Sequence, residues 1–269
     1  MRTALRILAL ALAASAATTA QQTLLHGKIT DALKRMESKE AAARETAYDD
    51  LSAICTESAN SYGNTLNVFF AQHPDEADRI KIGLIRLLRT ENDASKTAQP
   101  GSKTEAYGEY VFGLTQTVSA LHDERAIPVL VESITASGVD LVQFGDRALQ
   151  PVSVQLANPD ALVRAKALET ALEILKEKND AASRGRIRAL ILSSLGDHSL
   201  VVRSAAVNSI DCLEWRQEFV STLEKIAKDD PDKLPGKALD GGDGNEFYPV
   251  RASARRVLRD IRDKTTCQH

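Results

Sequence analysis

An arginine set between small and aliphatic residues recurs four times at one fixed spacing. The copies are Ala43-Arg44 with Ala47, Val163-Arg164 with Ala167, Val202-Arg203 with Ala206, and Val250-Arg251 with Ala254. Seven residues beyond each arginine stand Leu51, Ala171, Ile210 and Leu258. Positions −1, +3 and +7 from the arginine share one stripe of an α-helix, so each copy predicts a helix with a narrow face for close packing. Six residues before each arginine stand Ser38, Asn158, Asp197 and Asn245, all residue types that suit a helix N-cap. A helix of this kind cannot bury its stripe alone, so the repetition predicts neighbours that stack.

Each phrase is preceded by a second helical pattern. The segments are TLLHGKITDALKRM (23–36), RALQPVSVQLA (147–157), RGRIRALILSSL (184–195) and RQEFVSTLEKIAK (216–228). The predicted unit is therefore a helix, a tight turn, and a second helix opened by the phrase. The last two arginine intervals are 39 and 48 residues, and the longer one holds an inserted loop at 229–247. In the middle of the chain, HDERAIPVLVESI (122–134) and GDRALQPVSVQL (145–156) share Arg-Ala, an aliphatic residue, proline and valine.

This pairing resembles the HEAT repeat, an armadillo-like family whose second helix opens with a polar cap and Val-Arg a few residues before an alanine. The shared proline is similar to the one that bends the first helix of many HEAT units by removing a backbone donor. The resemblance covers most of residues 23–264 and implies an all-α fold, an α-solenoid of about five to six stacked helical pairs. It implies an architecture and no particular activity. Residues 63–89 keep the helix–turn–helix rhythm, with the arginine register off by one and Gly83 where alanine is expected. Residues 103–121 predict a helix without a capped arginine, and the polar stretch 90–102 between them reads as an exposed loop.

Composition agrees with helices packed through small side chains. Aromatics make up 4% of the 269 residues against 43% hydrophobic residues overall, so alanine and aliphatic side chains must supply the burial. The formal charge is −3 and no basic block stands out, which removes the usual electrostatic footprint of nucleic-acid binding. Residues 1–20 place Arg2 and Arg6 before an apolar run from Ile7 to Ala17 and then small residues, the order of a secretory signal peptide. The run is too short for a comfortable membrane span. Cleavage is expected after Ala20, with Ala16 or Ala17 as alternatives, leaving 21–269 as one repeat domain. Loss of Arg2 and Arg6 leaves 32 basic against 37 acidic side chains, a charge of −5. The expected location is secreted or periplasmic, with no membrane span after cleavage. Of three cysteines, Cys55 reads as a small buried hydrophobe, while Cys212 and Cys267 can pair if the tail folds back.

Motifs that carry chemistry are sparse. His26, His73, His122, His198 and His269 are scattered, with neither a His-Glu dipeptide nor His-x-x-x-His spacing. No phosphate-binding glycine loop or nucleophile elbow is present. Asp240, Asp243, Asn245 and Glu246 could surround a hard cation, but their spacing is not that of an EF-hand, and a glycine-rich hairpin leading to Asn245 as a cap is the simpler reading. Tyr107, Tyr110 and Phe112 form an aromatic cluster that either anchors a partner or covers the core beside an irregular repeat.

The repeated arginines are expected to bond to caps or loop carbonyls of a neighbouring unit. No catalytic, cofactor or metal residue is assigned. The expected function is a scaffold without intrinsic catalysis that holds a protein or peptide on its solenoid surface. An enzyme framed by the solenoid, with a polar pocket near 90–102 and Tyr107, and a structural spacer in an envelope assembly remain open.

Overall fold

A computed structural model describes residues 20–59, 65–97, 105–235 and 246–264. The expected signal peptide up to residue 19, Cys267, and the loop residues Asp240, Asp243 and Asn245 lie outside them. Among the described residues the fold is all-α, apart from one two-residue strand pair. The helices are α1 (20–35), α2 (Ala41–Ala59), α3 (Thr65–Gln72), α4 (Pro74–Thr97), α5 (Glu105–Ser119), α6 (Ile127–Glu132) and α7 (Ile134–Leu141). They continue with α8 (Asp146–Val154), α9 (Ala161–Lys176), α10 (Ala181–Leu195), α11 (Leu200–Asp211), α12 (Val220–Asp229) and α13 (Pro249–Arg262). The chain forms two compact units, Met1–Val129 and Leu130–His269.

In the first unit α2 packs on α3, α3 on α4, and α4 on α5. Ile29, Leu51, Phe69, Leu84, Leu88 and Leu114 are fully or almost fully buried. A Cβ at Gly83 would collide with the Leu33 side chain, so the missing methyl lets α4 approach α1 closely. The polar stretch expected to be a loop from residue 90 instead continues α4 as far as Thr97. Two of its polar residues face inward: Glu91 is fully buried, and Asn92 donates to the Val129 carbonyl at 3.0 Å. Residues 98–102 lie outside the described ones.

In the second unit the three helices opened by the phrase lie side by side, α11 packing against both α9 and α13. Between them, α10 contacts α9 and α11, and α12 contacts α13. Pro151 sits inside α8, which ends at Val154 and tightens into a 3-10 turn over Gln155–Ala157. The inserted loop after α12 is closed at its base by β1 (Leu234–Pro235) and β2 (Glu246–Phe247), paired antiparallel.

The small-residue stripe is where the sequence places it. Ala47, Ala167, Ala206 and Ala254 are all 0% exposed. The flanking offsets are less uniform, since Ala43 is exposed and Val163 and Leu258 are half-buried. Ala206→Phe is expected to overpack α11 against its neighbours and to cost about 1–3 kcal/mol. Thermal melting reads this directly, and an unchanged melting temperature would refute the close-approach role of Ala206.

Candidate functional site

The repeated arginines are spent inside the fold. Arg44, Arg164 and Arg203 are 4%, 5% and 8% exposed, and each makes the same two sets of bonds. One set closes the arginine's own turn. Nη1 donates to the carbonyl six residues back: Ser38 O at 2.9 Å, Asn158 O at 2.8 Å and Asp197 O at 2.8 Å. The other set reaches a carboxylate further along the chain. Arg44 forks onto Glu91 at 2.6 and 2.9 Å, Arg164 onto Asp197 at 2.9 and 2.8 Å, and Arg203 onto Asp230 at 2.7 and 3.1 Å. Arg251, in the last phrase, donates back to the Asp230 carbonyl at 2.6 Å and stacks on Tyr248.

The residue six before the arginine is not the cap. The capping side chains belong to Asp160, which accepts from Leu162 N at 2.7 Å, and Ser199, which accepts from Val201 N at 3.3 Å. Asn158, Asp197 and Ser38 act two residues earlier, accepting the amides of Asp160, Ser199 and Glu40. Their side chains turn the backbone into the cap while their carbonyls take the arginine. Asn245, the fourth expected cap, lies outside the described residues.

The aromatic cluster divides. Tyr107 and Tyr110 both donate to Glu91, at 2.6 and 3.1 Å, alongside the Arg44 fork. Burial opposes ionisation of Glu91, and the hydrogen bonds from Arg44 and the two tyrosines outweigh it, so the carboxyl is held below its usual range. Burial, aided by Glu91, pushes Tyr107 up to about 12. This polar centre is filled by its own side chains, as expected of residues that cover the core. Phe112, on the same helix, is 55% exposed.

Phe69 is fully buried and edges against Phe70. His26 meets Glu76 at 2.6 Å beside Arg79, a grouping of residues 50 apart that no local motif announces. Among the described residues no three His, Cys, Asp or Glu are placed to hold a metal, and no helix is long and apolar enough to cross a membrane. Cys55 is free and buried, its thiol pushed up to about 12 by burial. Cys212 is disulfide-bonded.

An open groove of about 540 Å³ lies in the second unit. It lies between the end of α9, the start of α10, and the turn after α11. Leu175, Ile187 and Leu213 form an apolar floor, with Lys176, Asn179 and Glu214 around it. Asn179 takes a left-handed turn (φ 46°), and Asp180 caps α10 by accepting from Ser183 N at 2.7 Å. This brings Arg184 over the indole of Trp215, 4.8 Å from the ring centroid. Glu218 holds Arg184 and also Arg188, the latter at 2.9 Å, while Phe219 packs 5.5 Å from the indole. The single tryptophan of the chain thus contacts both a guanidinium and a buried ring.

Sequence reading passed over Trp215, although its rarity was a usable signal. The sequence matches no protein-family model and no curated protein.

Proposed function

We propose that this chain is an exported HEAT-like, armadillo-like α-solenoid of five to six helical pairs that holds a protein or peptide partner and has no catalysis of its own. The observation that carries this reading is the arginine brace. Arg164 reaches Asp197, between α10 and α11 of the following pair, and Arg203 reaches Asp230, between α12 and α13 of the next, so one device fixes successive pairs in register. Side-by-side placement of α9, α11 and α13 is the arrangement a stacked array needs. The bonded Cys212 supports export, since structural disulfides persist in oxidising compartments. A secreted or periplasmic location follows from the same reading.

The partner surface is the Trp215 groove. Tryptophan and arginine dominate binding hot spots because they combine a large rigid area with a polar edge. Trp215 is prearranged by Arg184 and Phe219, so little freedom is lost on contact.

The test is a crosslinking pull-down with residues 21–269 against the native exported fraction. A partner recovered in stoichiometric yield is expected, bound roughly thirtyfold more weakly by Trp215→Ala, the loss typical of a hot spot of about 2 kcal/mol. No partner at all would overturn the binding-module reading. A partner held equally well by Trp215→Ala would move the contact surface elsewhere.

A further inference from the structure

The last helix carries a second surface with a different chemistry. α13 buries Val250, Ala254 and Val257 on one side. On the opposite side Arg255, Arg259 and Arg262 are all exposed and follow one another at helical spacing, with exposed Lys264 beyond the helix end. Neighbouring Arg256 is paired with Asp211, Asp260 and Asn208. Arg255 donates to the Ala227 carbonyl of α12 at 3.2 Å, which fixes its position without neutralising it. Among the described residues the side chains of Arg259, Arg262 and Lys264 have no ion-pair or hydrogen-bond partner. Of the two acids in this segment, Asp260 is engaged by Arg256 and only Asp263 remains. A stripe of net positive charge therefore stands on a chain whose overall charge is −3.

We propose that this stripe of α13 docks an acidic segment of a partner protein, three carboxylates meeting Arg255, Arg259 and Arg262. A rise of 1.5 Å per residue spaces the three guanidinium stems by about 6 and 4.5 Å along the axis. An acidic helix with carboxylates one turn apart offers the same intervals. The stripe is arginine rather than lysine, and the planar guanidinium fork pairs with carboxylates in bidentate fashion where an ammonium acts as a point charge. A lipid surface fits less well, because the apolar side of α13 is already buried against α11 and α12 and cannot insert. The inference adds a second contact surface to the proposed partner-binding function and does not use the Trp215 groove.

Fluorescence anisotropy tests it with the chain 21–269 and a labelled helical peptide bearing glutamates at i, i+4 and i+7. The glutamine version of the peptide is the control. The glutamate peptide is expected to bind, to weaken as salt rises from about 50 to 300 mM, and to lose at least roughly tenfold in affinity with Arg255→Gln/Arg259→Gln/Arg262→Gln. The lysine triple variant is expected to fall between the two, a split that mere loss of folding would not give. Trp215→Ala is expected to bind the peptide as the wild type does, which separates this surface from the groove. Equal binding of the glutamate and glutamine peptides, or full binding by the glutamine triple variant, overturns the proposal. So does binding to phosphatidylglycerol vesicles in the absence of peptide binding, which would make a membrane the occupant.

Discussion

Glu91→Ala is expected to lower the stability of the first unit by about 3–5 kcal/mol, the cost of leaving a buried charge without its partner. Glu91 is fully buried, and the Arg44 guanidinium it pairs with is 5% exposed. Removing the carboxylate also takes away the acceptor to which the Tyr107 and Tyr110 hydroxyls donate. Urea titration followed by circular dichroism measures the loss, and a change below about 1 kcal/mol would mean the centre behaves like a surface pair. Arg44→Met with Glu91→Leu is expected to lose less than Glu91→Ala, because an apolar pair of similar volume leaves no charge behind.

The same carboxyl sets an acid limit. Its folded pKa lies below the unfolded one, as do those of Asp123 and Asp197, each held down chiefly by a hydrogen-bonded arginine. These groups stabilise the fold fully above the unfolded carboxylate range near pH 4–4.5, and that contribution disappears as pH falls through the folded values. Stability carried by these groups is expected to hold from pH 7 to about 5 and then decline, with a shallower decline in the Arg44→Met/Glu91→Leu variant.

Arg203→Met is expected to have the corresponding effect in the second unit, again about 3–5 kcal/mol. Asp230, whose side chain is 4% exposed, would lose its forked partner, and the Asp197 carbonyl would lose its donor. The damage would extend further than one contact, because the backbone of Asp230 also receives Arg251. Adding Asp230→Leu is expected to restore part of the loss. Arg35→Ala, which breaks exposed pairs with Asp31 and Asp50, is the control and is expected to leave the melting temperature almost unchanged. If Arg203→Met melts with the Arg35 control, the arginine brace contributes nothing to register.

Much of the helical order was legible because its signals are local. Spacing of three and four residues marks a stripe whatever the stripe packs against, and Ala47, Ala167, Ala206 and Ala254 are buried as that spacing requires. The turn before each phrase was recognisable from Ser38, Asn158 and Asp197, but polar side chains there satisfy several turn geometries equally. Only the folded backbone separates the residue that turns the chain from the cap two positions on.

Residues 90–97 show the opposite limit. A run rich in Thr, Glu, Asn, Asp, Ser and Lys has no apolar stripe, so it reads as loop, yet it is helix because Glu91 and Asn92 find partners from elsewhere in the first unit. A buried polar residue has no signature in local periodicity, since the groups that satisfy it lie far away in sequence.

The sequence by itself determined that the chain is built of helices, which segments form the phrase-bearing ones, and that their arginines serve the fold, because these follow from backbone periodicity and repetition. The tertiary structure decided which carboxylate each arginine takes, at separations of 47, 33 and 27 residues. It also decided that Tyr107 and Tyr110 close over Glu91, and that Trp215 stands braced beside an open groove. The reason is physical: periodicity is set by neighbours along the chain, whereas charge pairing and cavity shape are set by whichever side chains the packed helices bring within a few ångströms.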